Sequence, residues 1–161
     1  MDLEIIEKIP REEIDAFFDL GCSIGGYIVF PSNQIDGKQT INQARGSRFS
    51  PIKDRFDLTL ECIRRWYIDE QSPLFDCLER YRDFFELFKD FKGYVDFFLL
   101  DALVDENGQV KFWLDFEDFG ITSPLPKTPD EYRKYMGNVS DFVKERNDLI
   151  DMKYNKNKGS D

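Results

Sequence analysis

The sequence predicts an α+β fold, a small antiparallel sheet of about four strands from two hairpins packed against about four or five helices. Three observations predict it. Short β-favouring runs flank two turn signals, Asp36-Gly37 and Asp105-Glu106-Asn107-Gly108. Two serine–proline pairs, Ser50-Pro51 and Ser72-Pro73, stand ahead of amphipathic stretches, as N-cap and first-turn residues do. A third start signal, Thr128-Pro129-Asp130-Glu131, reads as a capping box.

The first helix is expected over residues 10–20, where Ile14, Phe17 and Phe18 form a stripe and Gly21 stops it. Tyr27 to Phe30 reads as a strand closed by Pro31, and 38–45 as its antiparallel partner. The second helix is expected from Ser50 onward. At 100° per residue, Ile52, Phe56, Leu60, Ile63 and Tyr67 share a face, with Asp57, Glu61, Arg64 and Arg65 on a separate solvent arc. Arg55 falls inside the apolar arc, between Cys62 and Trp66. A third helix should run from Ser72 to a stop at Gly93, buried through Leu74, Leu78, Tyr81, Phe85 and Phe88. The second hairpin pairs Tyr94–Val104 with Gln109–Phe116, although 97–103 also fits a helix. Trp113 falls on the polar side of the return strand, which makes it a candidate interface contact.

Composition narrows the function classes. The 161 residues are expected to form one compact α+β domain over 1–152 and a polar flexible tail over 153–161. Net charge is −10, and no basic stripe is visible, so direct nucleic-acid binding is not expected. An acidic inhibitor that mimics nucleic acid on a nucleic-acid-handling protein is one reading of that charge. Three cysteines without a CxxC pair, and no histidine, give no zinc signature, so neither a metal nor a cofactor is expected. Cys62 and Cys77 read as small core residues in a reducing cytoplasm. The longest apolar run, Phe97 to Leu100, is too short for a membrane span.

The chemistry-bearing cluster is Asn42, Gln43, Arg45 and Arg48 in a glycine-broken loop, with Arg55 at the start of the next helix. Amide donors at a helix start and the guanidinium fork both suit carboxylate or phosphate, which makes these five residues a candidate anion pocket. The competing reading makes Arg55 a pin, because a buried charge must be paired. Asp101 is its expected partner, with Asp96 the second choice. No catalytic residue is assigned. An enzyme on a phosphorylated or carboxylated small molecule would use Arg45 and Arg55 to hold the anion and Asp54 or Asp57 as base.

The blocks IGGYIVFP (24–31), TINQARG (40–46), DRFDLTLECIRRWY (54–67), SPL (72–74) and RYRDFFELFKDFKGYVDFFLL (80–100), with the stretch Tyr132 to Asn147, resemble a bacterial family of uncharacterised proteins, a domain of unknown function. The resemblance implies no assigned activity and transfers no catalytic residue. In that family a long segment precedes the shared region, whereas only a short one does here. The position of Asp101 is often Gln there, which would turn an ion pair with Arg55 into a hydrogen-bonded one. The leading expectation is a binding or interaction module whose partner is a protein or a small anionic ligand.

Overall fold

The computed structural model describes residues 3–158. Its elements are α1 (Leu3–Ile6), α2 (Arg11–Gly21), a 3₁₀ turn (Ile24–Gly26), α3 (Ile41–Gly46), α4 (Phe56–Tyr67), α5 (Phe75–Glu79), α6 (Arg82–Glu86), α7 (Phe91–Phe98), a second 3₁₀ turn (Asp101–Leu103) and α8 (Pro129–Lys158). The fold is mostly helical, and the expected four-stranded sheet is absent from the described residues. One isolated antiparallel bridge, Val104 to Val110, is all the pairing that the second hairpin makes. The α+β expectation is therefore corrected.

Each failed strand has a local cause. In the segment 40–46, the Thr40 hydroxyl accepts the Gln43 amide (3.3 Å) and the Gln43 side chain accepts the Thr40 amide (2.9 Å). This reciprocal capping box starts a helix where a strand was expected. Asp90 does the same for α7, accepting the Gly93 amide at 2.7 Å, so Gly93 lies inside the first turn of a helix that it was expected to end. The expected 72–93 helix is interrupted twice, at Tyr81 and at Lys89, whose φ of 70° is left-handed. Tyr27 is extended (φ −108°, ψ 137°), but residues 27–30 form no ladder, with Val29 exposed and Phe30 buried.

The chain gathers into two compact units, one from Met1–Ile28 with Pro126–Asp161 and one from Val29–Leu125. In the first, α8 carries Tyr132 and Met136 into a core with Ile9, flanked by Ile5, Ile6, Ile14 and Phe17. The start signal at Thr128 is met: its hydroxyl accepts the Glu131 amide at 3.1 Å, and Glu131 accepts the Lys127 amide at 2.7 Å. Helix α8 runs on to Lys158, through much of the segment expected as tail, and 159–161 lie outside the described residues.

The second unit is built around α4. Every residue from Phe56 to Ile63 is buried, including Asp57, Thr59 and Glu61. A helix buried on all sides must satisfy its polar groups internally. Around it lie fully buried Ile41, Ile52, Leu78, Phe85, Tyr94 and Leu100. The rings of Trp66, Tyr67, Phe85 and Tyr94 follow one another at centroid distances from 5.0 to 6.3 Å. Cys62 and Cys77 are buried free thiols, as expected, and burial pushes the Cys62 thiol up to about 12, which makes it a core residue rather than a nucleophile. No helix is long and apolar enough to cross a membrane among the described residues.

Candidate functional site

The polar cluster singled out above spans α3, the loop at 47–54 and the start of α4. That loop is held against itself. The Ser50 amide donates to the Ser47 carbonyl (2.8 Å), and the Asp54 amide reaches back to the Arg45 carbonyl (3.0 Å). Lys53 Nζ donates to the Arg48 carbonyl. Lys53 and Asp54 are both left-handed, with φ of 48° and 63°. Two successive non-glycine residues in that region persist only where surrounding bonds fix them.

This turn explains why Arg55 breaks the periodicity. The helix begins at Phe56, five residues after Pro51, and Arg55 is the extended residue before it, with φ −67° and ψ 126°. A 100° wheel drawn through Arg55 therefore assigns it a face that it does not have. Its side chain is buried, with 3% exposure, and turns back onto Asp57, which has 0%. Arg55 Nε donates to Asp57 Oδ1 at 3.0 Å, Nη2 donates to Oδ2, and Nη1 donates to the Pro124 carbonyl at 3.1 Å. Asp57 Oδ2 also accepts the Trp113 amide at 2.9 Å. Arg55 is paired with a buried carboxylate, as the pin reading required, but the partner is Asp57. Asp101 is exposed on its 3₁₀ turn, and Asp96 is exposed and joined to Lys92 at 2.6 Å. The reason is proximity along the chain, since the extended N-cap folds an i,i+2 carboxylate directly under the guanidinium.

The expected solvent arc of α4 is likewise interior. Glu61 accepts from Arg64 Nε (2.8 Å), Arg64 Nη2 (2.9 Å) and Arg65 Nε (2.8 Å), and Arg65 Nη2 donates to Asp118 at 2.8 Å. The residues share a face as the wheel says; what it cannot say is that residues 113–125 cover that face. Trp113, expected on an exposed polar side, is buried, because its amide is held by Asp57 instead of a strand neighbour. The Phe119 amide, and then Arg65, hold the Asp118 carboxyl below the usual aspartate range. A folded value below the unfolded one stabilises at neutral pH and is lost as pH falls through the folded value. In an NMR titration, Asp118 should therefore titrate below a free aspartate, and Arg65→Gln should bring it part of the way back.

The remaining site residues separate into inner and outer sets. Arg45 is half-buried, with Nη1 on Asp54 Oδ1 (2.8 Å), Nη2 on the Asp54 carbonyl (3.0 Å) and Nε on Thr59 Oγ1 (3.1 Å). Thr59 in turn donates to the Arg55 carbonyl at 2.8 Å. Asn42, Gln43 and Arg48 are exposed. The structure thus pairs Arg55 with buried Asp57 and Arg45 with Asp54, whose side chain is 64% exposed, and leaves Arg48 outside. It also adds a residue that sequence reading missed, Phe49, which is 79% exposed with the Arg48 guanidinium carbon 4.5 Å from its ring centre. Its signal was available: an aromatic in the polar run RGSRFSP, with no periodic neighbour to bury it. Among the described residues no group of three or more cysteine, aspartate or glutamate side chains is placed to hold a metal ion.

Residues 2–150 match the model of a family of unknown function, DUF6994. No curated protein and no solved structure matches the chain. The match spans nearly all of the described residues and both compact units, and the chain belongs to that family of unknown function.

Proposed function

We propose that the chain is a binding module that engages an acidic segment of a partner protein through the loop at 47–54. The observation that carries this reading is the exposed Arg48–Phe49 stack on a loop pinned by its own backbone bonds. The inner arginines already have acid partners, so Arg45 and Arg55 act as scaffold, while Arg48 has no carboxylate within ion-pair distance among the described residues. Arginine and aromatic residues are among the types enriched at protein interfaces, arginine at their energetic centres as well. A loop already fixed in shape loses little entropy on binding. The net charge of −10 does not oppose an acidic partner at this point, since charges beyond about 8 Å are largely screened at physiological salt, and of the loop's own charges Arg48 and Lys53 are positive while Asp54 is already paired with Arg45. The same reading puts the protein in a reducing cytoplasm, which three free cysteines support.

The test is selection from a random peptide display library on the intact chain and on the Arg48→Ala/Phe49→Ala variant. Enriched peptides should carry Asp or Glu next to an apolar residue and bind the variant about thirtyfold more weakly. The variant's melting should stay within about 0.5 kcal/mol of the parent. Peptides with no acidic bias, or equal binding to both proteins, would sink the reading.

A further inference from the structure

A second site lies in the unit 29–125, away from the loop at 47–54 in sequence and chemistry. Side chains of α4, α5 and α6 line a cleft of about 410 Å³. Its walls include the rings of Trp66, Tyr67 and Phe75. Tyr67 is fixed by its hydroxyl, which donates to the Phe85 carbonyl at 2.7 Å, and the Trp66 and Tyr67 rings meet edge to face at 5.0 Å. Carboxylates of Asp69, Glu79 and Glu86 line the cleft beside those rings, against two cations, Arg82 and Lys89.

The arrangement of Glu79 and Arg82 is informative. Trp66 Nε1 donates to Glu79 Oε2 at 2.9 Å, which anchors one carboxylate at the edge of the indole. Arg82 stands over the same indole, its guanidinium carbon 5.4 Å from the ring centre, and bonds Glu79 while pairing with Glu86 at 3.6 Å. Bonds from Arg82 and then Trp66 hold the Glu79 carboxyl below the usual glutamate range, so it is charged at neutral pH. A π face, an anchored carboxylate and a second carboxylate together make the recognition set for an organic cation. The chain's own guanidinium occupies it. Arg82 is nonetheless half-exposed, and its pairs with Glu79, across the break between α5 and α6, and with Glu86, along α6, are solvent-exposed ion pairs, which hold a side chain weakly. It can swing out while Glu79 stays anchored by Trp66.

We propose that this cleft is a binding site for an alkylguanidinium group, whose place over Trp66 is held by the chain's own Arg82. An anionic ligand fits less well, because it would meet three carboxylates for two cations.

The test uses n-butylguanidinium as probe and its neutral isostere n-butylurea as control, read by the indole N–H resonances of the full chain in NMR. The two tryptophans give two such resonances; both rings are buried, and that of Trp113, which does not line the cleft, serves as an internal reference. Butylguanidinium should shift the Trp66 resonance to saturation at concentrations on the order of millimolar, as a single cation–π and ion-pair contact made in place of Arg82 gives. Arg82→Ala should bind about fivefold more tightly, since it removes the internal competitor. Glu79→Gln should abolish saturation while leaving the melting transition in place. Arg82→Ala binding no tighter than the parent, butylurea producing the same shifts, or n-butylamine binding better than the guanidinium would each overturn the proposal. Because the readout is Trp66, this outcome is independent of the Arg48–Phe49 loop.

Discussion

Asp57→Ala should cost the protein about 3–5 kcal/mol, the range for removing one partner of a buried ion pair. For a chain of this length that is a fall in Tm on the order of 10 °C. The substitution strips two bonds from the Arg55 guanidinium and leaves it the Pro124 carbonyl alone. It also removes the acceptor of the buried Trp113 amide, whose desolvation is then uncompensated. Asp101→Ala, at the carboxylate that sequence reading preferred, should melt within about 0.5 kcal/mol of the parent. The double variant Arg55→Met/Asp57→Leu should lose clearly less than Asp57→Ala, because removing both charges spares the orphaned cation. Thermal denaturation of the four proteins decides it. Asp57→Ala melting with the parent while Asp101→Ala melts early would return Arg55 to Asp101.

That pair shows how far the sequence was legible. Periodicity found α2, most of α4 and the opening of α8, because each has apolar residues at helical spacing and a start signal. It also grouped Asp57, Glu61, Arg64 and Arg65 on one face. Local spacing carries no information about what lies over a face. The cover comes from residues 113–125, more than 45 positions along the chain, as Arg65 to Asp118 and Arg55 to Pro124 show. The sheet failed for the opposite reason, since alternation in 109–116 satisfies the strand pattern whether or not a partner strand exists. Thr40-x-x-Gln43 and Asp90 carried readable cap signals that outranked the β-favouring residues near them. Within the five-residue site, Arg45 and Arg55 face inward and Asn42, Gln43 and Arg48 outward; Asn42, Gln43 and Arg45 are placed by α3 and its capping box, and Arg55 by where α4 begins. The left-handed pair Lys53–Asp54 moved that start, and only its aspartate is of a type enriched in that conformation.

The buried charges of α4 also account for what stands in place of a sheet. The segment 113–125 crosses the unit without a ladder, so its backbone groups need other partners. The Trp113 amide has the Asp57 carboxylate, and the Pro124 carbonyl has the Arg55 guanidinium. Asp118, bound by Arg65, accepts the Phe119 amide at 2.8 Å. Charged side chains of one helix do for this loop what a neighbouring strand does elsewhere, and hence burying them is tolerated.

The unit formed by residues 1–28 and 126–161 rests on a different contact, and Gly25→Ala should expose it with a loss of about 3 kcal/mol. Gly25 lies in the 3₁₀ turn that packs on α8. Its amide donates to Asn147 Oδ1 at 2.7 Å. Buried Arg146 donates to the carbonyls of Gly25 (2.8 Å) and Tyr27 (2.7 Å), and Asn147 Nδ2 donates to Ser23 Oγ at 2.7 Å. A Cβ at position 25 would sit 2.5 Å from the Val143 carbonyl oxygen and 2.8 Å from Asn147 Oδ1. The first of these is helix backbone and cannot turn aside, so the turn must lift and weaken the Arg146 and Asn147 bonds together. Gly137→Ala is the matched control: its Cβ meets nothing within 4 Å inside α8, and exchanging Gly for Ala in a helix should stabilise by about 0.5–1 kcal/mol. Opposite signs from the same substitution in one unit separate close approach from helix propensity. Amide exchange localises the effect: Gly25→Ala should speed exchange at 23–27 ahead of the rest of the unit. Equal melting of the two variants, or unchanged exchange at 23–27, would mean that the turn does not depend on that approach.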